Sequence, residues 1–413
     1  MTIKDQMTMR NVKLLLDRGR LTEEQLEQFS LVKRLLRQRC QTYLFNPQHA
    51  NSITAGYTPS VEDILKRGIR QPNELPANRT LLEIERVRQE DKIKANAKNQ
   101  EWQLKASELY HRELYKAIDI ALTENPLKAI GVEIPDLVNV LYHPNVDFKK
   151  LSKLVQQSDA LTDGIGRFVL REQNQGRLTK VDVKRQNMQT VLGQLGKDTI
   201  DELLPLLLIQ QTTDTGMVVK RQSAEIKFRR LLSYNVNYVS QIIATLGDNT
   251  PYKRLTGIIG VLETLTYITV YRLFCIHQDE VRVRVMNKWR TQSQHSLHAA
   301  MQDVDINFNV LSIWMESFKE KVQEIIIQQL DWNYIRPVRR ALEEHQERLP
   351  LHERSVLGVV LNHGFQFAQF KLLAEGKLAS RSIITQYLYG SYIPNELSRL
   401  LLSSSMTTEP VQS

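Results

Sequence analysis

An all-α fold, a multi-helix bundle with an N-terminal helical extension, follows from three observations. Glycine and proline are sparse, 17 and 13 in 413 residues, so helices have few interruptions. No run of alternating Val, Ile and Thr bounded by hairpin turns occurs, which removes the period-2 signal of strands. The stretch Thr256–Phe274 is apolar almost all round, through Ile258, Ile259, Val261, Leu262, Leu265, Ile268, Val270 and Leu273. A helix of that kind is enclosed by others.

Residues 1–42 read as a helical module. Asn11–Arg18 precedes Gly19, a residue suited to end a helix because it tolerates positive φ. Thr22-Glu-Glu-Gln25 is a capping box, in which side chains and free amides satisfy one another at a helix start. Leu26, Phe29, Val32, Leu35 and Leu36 then share one face, which must pack within the chain or on a partner. Residues 43–79 read as a linker broken by Pro47, Gly56, Pro59, Pro72 and Pro76, with room for one short helix at Val61–Arg67. Thr80-Leu-Leu-Glu83 is a second capping box. It opens a long charged helix within residues 80–125, whose apolar stripe is thin between Val87 and Trp102, as in a segment that spans solvent.

Residues 126–402 carry the main helical domain. Its later helices are expected over Asn307–Leu330, Pro337–Arg348, Arg354–Gly376 and a final segment to Leu402. Within it, Leu195-Gly196 punctuates two helices, and Asp163-Gly164-Ile165-Gly166 reads as a bend. Gly257 and Gly260 admit a close neighbouring helix. Val360–Gly376 offers aromatic bulk for a core or an interface. Residues 403–413 are polar and terminal, with disorder the expectation.

Composition bounds the class of protein. Of the chain, 42% is hydrophobic and 24% charged, enough for a core and its surface. Uninterrupted apolar runs such as Leu203–Ile209 fall well short of the roughly 20 residues of a membrane span. The start, MTIKDQMTMRNVK, has no apolar secretory region. Cys40 and Cys275 are too few for a zinc cluster or a disulfide framework. A cytoplasmic location is expected. The net charge of +9 is spread along the chain, with its densest groups at Lys33–Arg39, Lys220–Arg230 and Arg282–Arg290. Lys220, Arg221, Lys227, Arg229 and Arg230 would bind phosphates only if they shared a face. A solvated or protein-docking face is favoured over nucleic acid.

Motifs of catalysis are missing: there is no P-loop, nucleophile elbow or H-E-x-x-H. His295-x-x-His298, followed by Asp303 and Asp305, has metal-like spacing, because residues three apart share a helix face. Glu263, inside the apolar helix, must be paired or protonated, with Arg254 or Arg272 as its expected partner. A structural ion pair is favoured there over a catalytic acid.

From about Ala129 to Phe274 the chain resembles the HDOD family, degenerate relatives of HD-domain phosphohydrolases. The resemblance rests first on Ile134-Pro135, Leu137, Val140 and Leu141. It continues through His143–Thr162, where Asp147, Leu151, Leu154 and Val155 fill a D-x-x-x-L-x-x-L-I pattern and Asp159 with Leu161 starts the next helix. Ala160 replaces that family's proline. Val183–Leu204 is similar to its A-I-x-x-L-G segment. Phe228–Gly247 and Thr256–Phe274 resemble the helices that carry metal ligands in HD enzymes. Ser233, Tyr234 and Asn235 stand where the histidine would be, and Gly260-Val261 or Glu263-Thr264 where the His-Asp pair would be.

The resemblance implies a helical bacterial signalling module that binds other signalling or regulatory proteins. It carries the expectation of no catalytic, cofactor-binding or metal-binding residues, no cofactor and no membrane span. The rival readings are a metal-dependent phosphohydrolase and a nucleic-acid-binding regulator.

Overall fold

The computed structural model describes residues 9–17, 22–46, 50–51, 53, 83–124, 127, 133–175, 187–213, 222–247, 253–304, 309–331 and 333–404. Among these residues are α-helices and two short 3₁₀ turns, with no strand. The all-α expectation holds. In chain order the helices are α1 (Met9–Leu16), α2 (Glu23–Phe45), α3 (Glu83–Glu124), α4 (Ile134–Tyr142) and α5 (Phe148–Gln156). Then come α6 (Asp159–Asn174), α7 (Met188–Thr213), α8 (Gln222–Thr245), α9 (Thr256–Thr291) and α10 (His295–Gln302). The last five are α11 (Asn309–Gln329), α12 (Arg336–Gln346), α13 (Val356–Glu375), α14 (Arg381–Gly390) and α15 (Asn395–Ser404).

The helix starts follow local chemistry. At Thr22 the hydroxyl accepts from Gln25 N at 3.3 Å, and Thr22 N donates to Gln25 Oε1 at 3.1 Å, the reciprocal bonds of a capping box. Asp147 accepts from the amides of Lys149 and Lys150 to start α5. Ser158, one residue before Asp159, caps α6. Gly19, Thr80, Val61–Arg67 and the tail 405–413 lie outside the described residues.

The chain divides into two compact units. One comprises Met1–Gly56, Leu127–Val270 and Lys319–Ser413; the other comprises Tyr57–Pro126 and Tyr271–Phe318.

In the first unit, close approach of helices is arranged by missing side chains. A methyl group on Gly260 of α9 would meet the Val236 backbone of α8 at 3.1 Å, and one on Gly364 of α13 would meet Val239 N of α8 at 3.1 Å. Helix α8 therefore presses against both α9 and α13, as the small residue at Gly260 leads one to expect, while Gly257 admits Pro205 of α7. Gly196, with φ +74°, breaks α7 into two helical pieces. Gly164 does not make a bend. It lies inside α6, and its bare face admits Leu207 of α7. Helix propensity argued against that glycine, but packing overrode it.

Helix α13 is buried around its circumference from Val356 to Gln369. Val360–Gly376 is thus core rather than amphipathic surface. Its polar side chains are paired: Tyr387 Oη lies 2.6 Å from both Gln366 Oε1 and Gln369 Oε1. One hydroxyl donates a single proton, so one of these amides must turn its NH₂ toward the phenol.

The N-terminal face finds its partner within the chain. Helix α2 packs on α14, where Phe29 stacks with Tyr389 at 5.5 Å and the Phe29 carbonyl fills the space above Gly390. Helix α1 is tied to α13 by a bond between His363 Nε2 and Leu15 O at 2.9 Å. Leu36 of that face is buried and Phe29 is engaged by α14, while Leu26, Val32 and Leu35 remain half-buried.

In the second unit, Ala106, Tyr110, Leu114, Ile118 and Leu122 recur every four residues along α3, and all are buried. The C-terminal half of this charged helix is thus a packed element. Among the side chains described, the stretch from Lys94 to Asn99 is exposed, as the solvent-spanning expectation has it. Tyr110 Oη donates to Gln278 O at 3.0 Å. Trp314 meets Tyr115 and Phe318 edge-on. By length and composition α9 could cross a membrane, yet its most apolar window is wholly buried in the protein. The search for uninterrupted apolar runs missed this helix because Glu263, Thr264, Thr266 and Thr269 interrupt its apolar stretch.

Gly260→Ala and Gly364→Ala should each lower the unfolding free energy in urea by about 1–3 kcal/mol through overpacking. Gly193→Ala, where the added methyl meets nothing within 4 Å, should instead stabilise by about 0.4–1 kcal/mol. Equal effects at the three sites would refute the close-approach account.

Candidate functional site

The most chemically loaded place in the first unit is the middle of α9. The Glu263 side chain is fully buried. Lys319 Nζ, at the α11 end of the unit, lies 2.9 Å from its Oε1, and His345 Nε2 of α12 lies 3.3 Å from the same atom. The Lys319 ammonium also sits over the rings of Tyr267 and Phe365, at 4.9 and 5.6 Å. A cation over ring faces gains further electrostatic stabilisation when desolvated.

Burial alone would raise the Glu263 carboxyl, but the charges around it hold it below the usual carboxylate range. Burial would likewise lower Lys319, and the Glu263 charge raises it instead. His345 is pushed down to about 4, chiefly by burial and against the pull of Glu263. It is therefore neutral at neutral pH, and Lys319 is the cation that balances the carboxylate. Of the partners expected from sequence, Arg254 is engaged elsewhere. Arg254 pairs with Asp198 at 2.8 Å, and Lys319, 56 residues downstream of Glu263, could not be found from helical spacing.

The stretches that resemble the ligand helices of HD enzymes do come together. Asn235 Nδ2 of α8 donates to Gly260 O at 2.9 Å and to Thr264 Oγ1 at 3.1 Å in α9. Asn235 and Thr264 are both fully buried. An amide, a hydroxyl and a main-chain carbonyl thus occupy the contact. The carboxylate of Glu263 turns to Lys319. As an assembly these groups can tie helices together and fix the register of α8 on α9. They offer no nucleophile with an adjacent base.

His295 and His298 both lie on α10. Asp303 is exposed just past its end and Asp305 is outside the described residues. Among the described residues no three His, Cys, Asp or Glu side chains gather closely enough to hold a metal. Both cysteines are buried and neither forms a disulfide, and burial pushes the Cys40 thiol up to about 12, which makes it inert.

The basic groups are also placed. Arg39 donates to Ile53 O and Leu378 O, both at 2.8 Å. Lys227 donates to Tyr43 O at 2.9 Å and lies over the Tyr43 ring. Arg282 donates to Met301 O at the end of α10. Lys220 and Arg221 are outside the described residues.

Sequence reasoning passed over one titratable group, Asp201 of α7. Its residue is 6% exposed, and neither carboxylate oxygen has a hydrogen-bond partner among the described residues. Burial raises it to about 6, against the nearby charges of Lys197 and Arg254. The only signal in the sequence was its place beside the apolar run Leu203–Ile209.

Comparisons with protein families, with characterised proteins and with solved structures return no match.

Two outcomes test the electrostatics. Lys319→Met should destabilise by about 3–5 kcal/mol in chemical denaturation, because it strands a buried carboxylate, while adding Glu263→Gln should restore most of the loss. A double variant no better than the single one would refute the pairing. For Asp201 the raised value means that the stability favouring the protonated form is present below about pH 4 and lost as pH rises through about 6. Asp201→Asn should therefore stabilise on the order of 1 kcal/mol at pH 8, after allowance for partial solvent access, and change little at pH 4.

Proposed function

We propose that the chain is a non-catalytic regulatory protein of bacterial signalling. It acts by binding other proteins through its helical bundle, in the manner the HDOD resemblance implies. One observation carries this reading: where an HD enzyme would present metal ligands, Asn235 is engaged by Gly260 and Thr264, and Glu263 faces an ammonium. A core built this way holds a surface in shape. A binding role asks only for that, because helical bundles recognise partners through grooves and exposed faces. A cytoplasmic location belongs to the same proposal.

The spread of basic residues supports the protein-binding role over a nucleic-acid one. Arg39, Lys227 and Arg282 spend their donors on main-chain carbonyls, which leaves fewer cations for a phosphate track.

The test has two arms on the purified full chain. Elemental analysis should find well under one transition metal per chain, and phosphodiester turnover should be the same with and without chelator. Capture from a bacterial host should retain partner proteins at salt concentrations that abolish electrostatic nucleic-acid binding. A stoichiometric metal with chelator-sensitive turnover would establish the hydrolase instead. Retention of nucleic acid alone, lost steeply with salt, would establish the other rival.

A further inference from the structure

Asp201 of α7 is a carboxylate that the fold closes over without answering. The residue is 6% exposed, and neither of its oxygens has a hydrogen-bond partner among the described residues. Such a group is rare in native folds, because it gives up water and gains no bond in exchange.

Contacts on either side of Asp201 show what it faces. Three residues earlier on α7, Asp198 pairs with Arg254 at 2.8 Å. Four residues later, Pro205 lies against Gly257 at the start of α9, where an added methyl group would meet the proline ring at 2.7 Å. Residues three and four apart share a helix face, so Asp201 is laid against the segment from Arg254 to Gly257. The end of α4 borders the same place. Tyr142 Oη donates to Arg254 O at 2.7 Å, and Lys197, one turn before Asp201, donates to His143 O at 3.4 Å. The recess lies close beneath the surface, because Asp198 and Arg254 on its border are exposed.

The nearby cations are thus turned to other groups, Lys197 to a carbonyl and Arg254 to Asp198. Lys197 and Arg254 act on Asp201 together with the negative Asp198 and Glu202. With Asp201 itself, one negative charge is left over, and a single positive charge balances it. Among the described residues no three His, Cys, Asp or Glu side chains gather to hold a metal. An ammonium group suits the place better, because its N–H donors match carboxylate oxygens in charge-assisted bonds.

We infer that this recess, bordered by α7, the end of α4 and the start of α9, binds the ammonium head of a small primary amine through Asp201. One ligand then answers both the unpartnered oxygens and the leftover charge. The opening above so little exposed a side chain admits a slender head and excludes a tetraalkyl one. The site does not depend on the signalling reading of the bundle.

The test is calorimetric titration of the full chain with propylamine hydrochloride at constant ionic strength and about pH 8, where the carboxylate is charged. Thermal unfolding is followed in parallel, with tetramethylammonium and potassium chlorides as references. Propylamine should bind saturably and raise the melting temperature more than either reference. Asp201→Asn and Asp201→Ala should each weaken its affinity at least tenfold, while Glu280→Gln, on α9 outside the recess, should retain it. Without amine, Asp201→Asn should melt no lower than the parent, so that its loss is one of binding and not of folding. Propylamine binding that is absent, unsaturable, matched by either reference cation or unchanged in Asp201→Asn would overturn the inference.

Discussion

The buried ion pair of Glu263 with Lys319 constrains the larger unit more than any other contact. A carboxylate with no exposed surface, in the middle of an otherwise apolar helix, cannot be left unanswered, because an isolated buried charge costs far more than a packing defect. The answer comes from a lysine whose stem is buried and whose ammonium is flanked by two aromatic rings. That geometry pins the first turns of the chain after Phe318 to α9. It also brings α12 into register, because His345 must present its ring edge to the same oxygen. Apolar packing alone would allow these helices to slide. One specific charge pair selects a single arrangement, as polar groups at helix interfaces do in other bundles.

The same economy appears at the helix ends. Helices leave carbonyls unsatisfied at their C-termini, and this chain answers several of them with long basic side chains from other elements. Lys227 reaches the last turn of α2, Arg282 that of α10, and Arg39 the carbonyl just beyond α13. Part of the positive charge thus serves as internal cement. Asn139 does the same without charge, donating to Gln329 O and accepting from Asp331 N. A basic composition read from sequence suggests an anionic partner, yet these cations act on the chain itself.

What the sequence revealed and what it hid follow from the range of each interaction. The capping box at Thr22, the break at Gly196 and the burial of Thr256–Phe274 depend on residues within a few positions, and all were legible. So was the need for small residues at Gly260, because a glycine in an apolar helix has few other uses. Gly164 was misread because its reason lies in Leu207, more than forty residues away. The partner of Glu263 was misassigned for the same reason: helical spacing proposes neighbours, and Lys319 is not one. The face of α2 was correctly seen to need a partner, but only folding could bring Tyr389 and Gly390 beneath Phe29. Asp201 was invisible, since a lone aspartate in a helix looks solvated until its surroundings close over it.

The contact between α8 and α9 is fixed by one buried amide. Asn235 offers two N–H donors, and both find acceptors on α9, a carbonyl and a hydroxyl. A divalent ion at this contact would need lone pairs, yet the bonded face of Asn235 presents hydrogens toward α9. The neighbouring carboxylate is already balanced, and a dication drawn to it would stand within a few ångströms of the Lys319 ammonium. At 4 Å, a dication and an ammonium repel by about 8 kcal/mol at an effective dielectric of 20. That repulsion opposes a dication beside Glu263 for as long as Lys319 keeps its proton. The bonds that set α8 on α9 and the ion pair that anchors Lys319 thus rest on neighbouring residues of one stretch of α9.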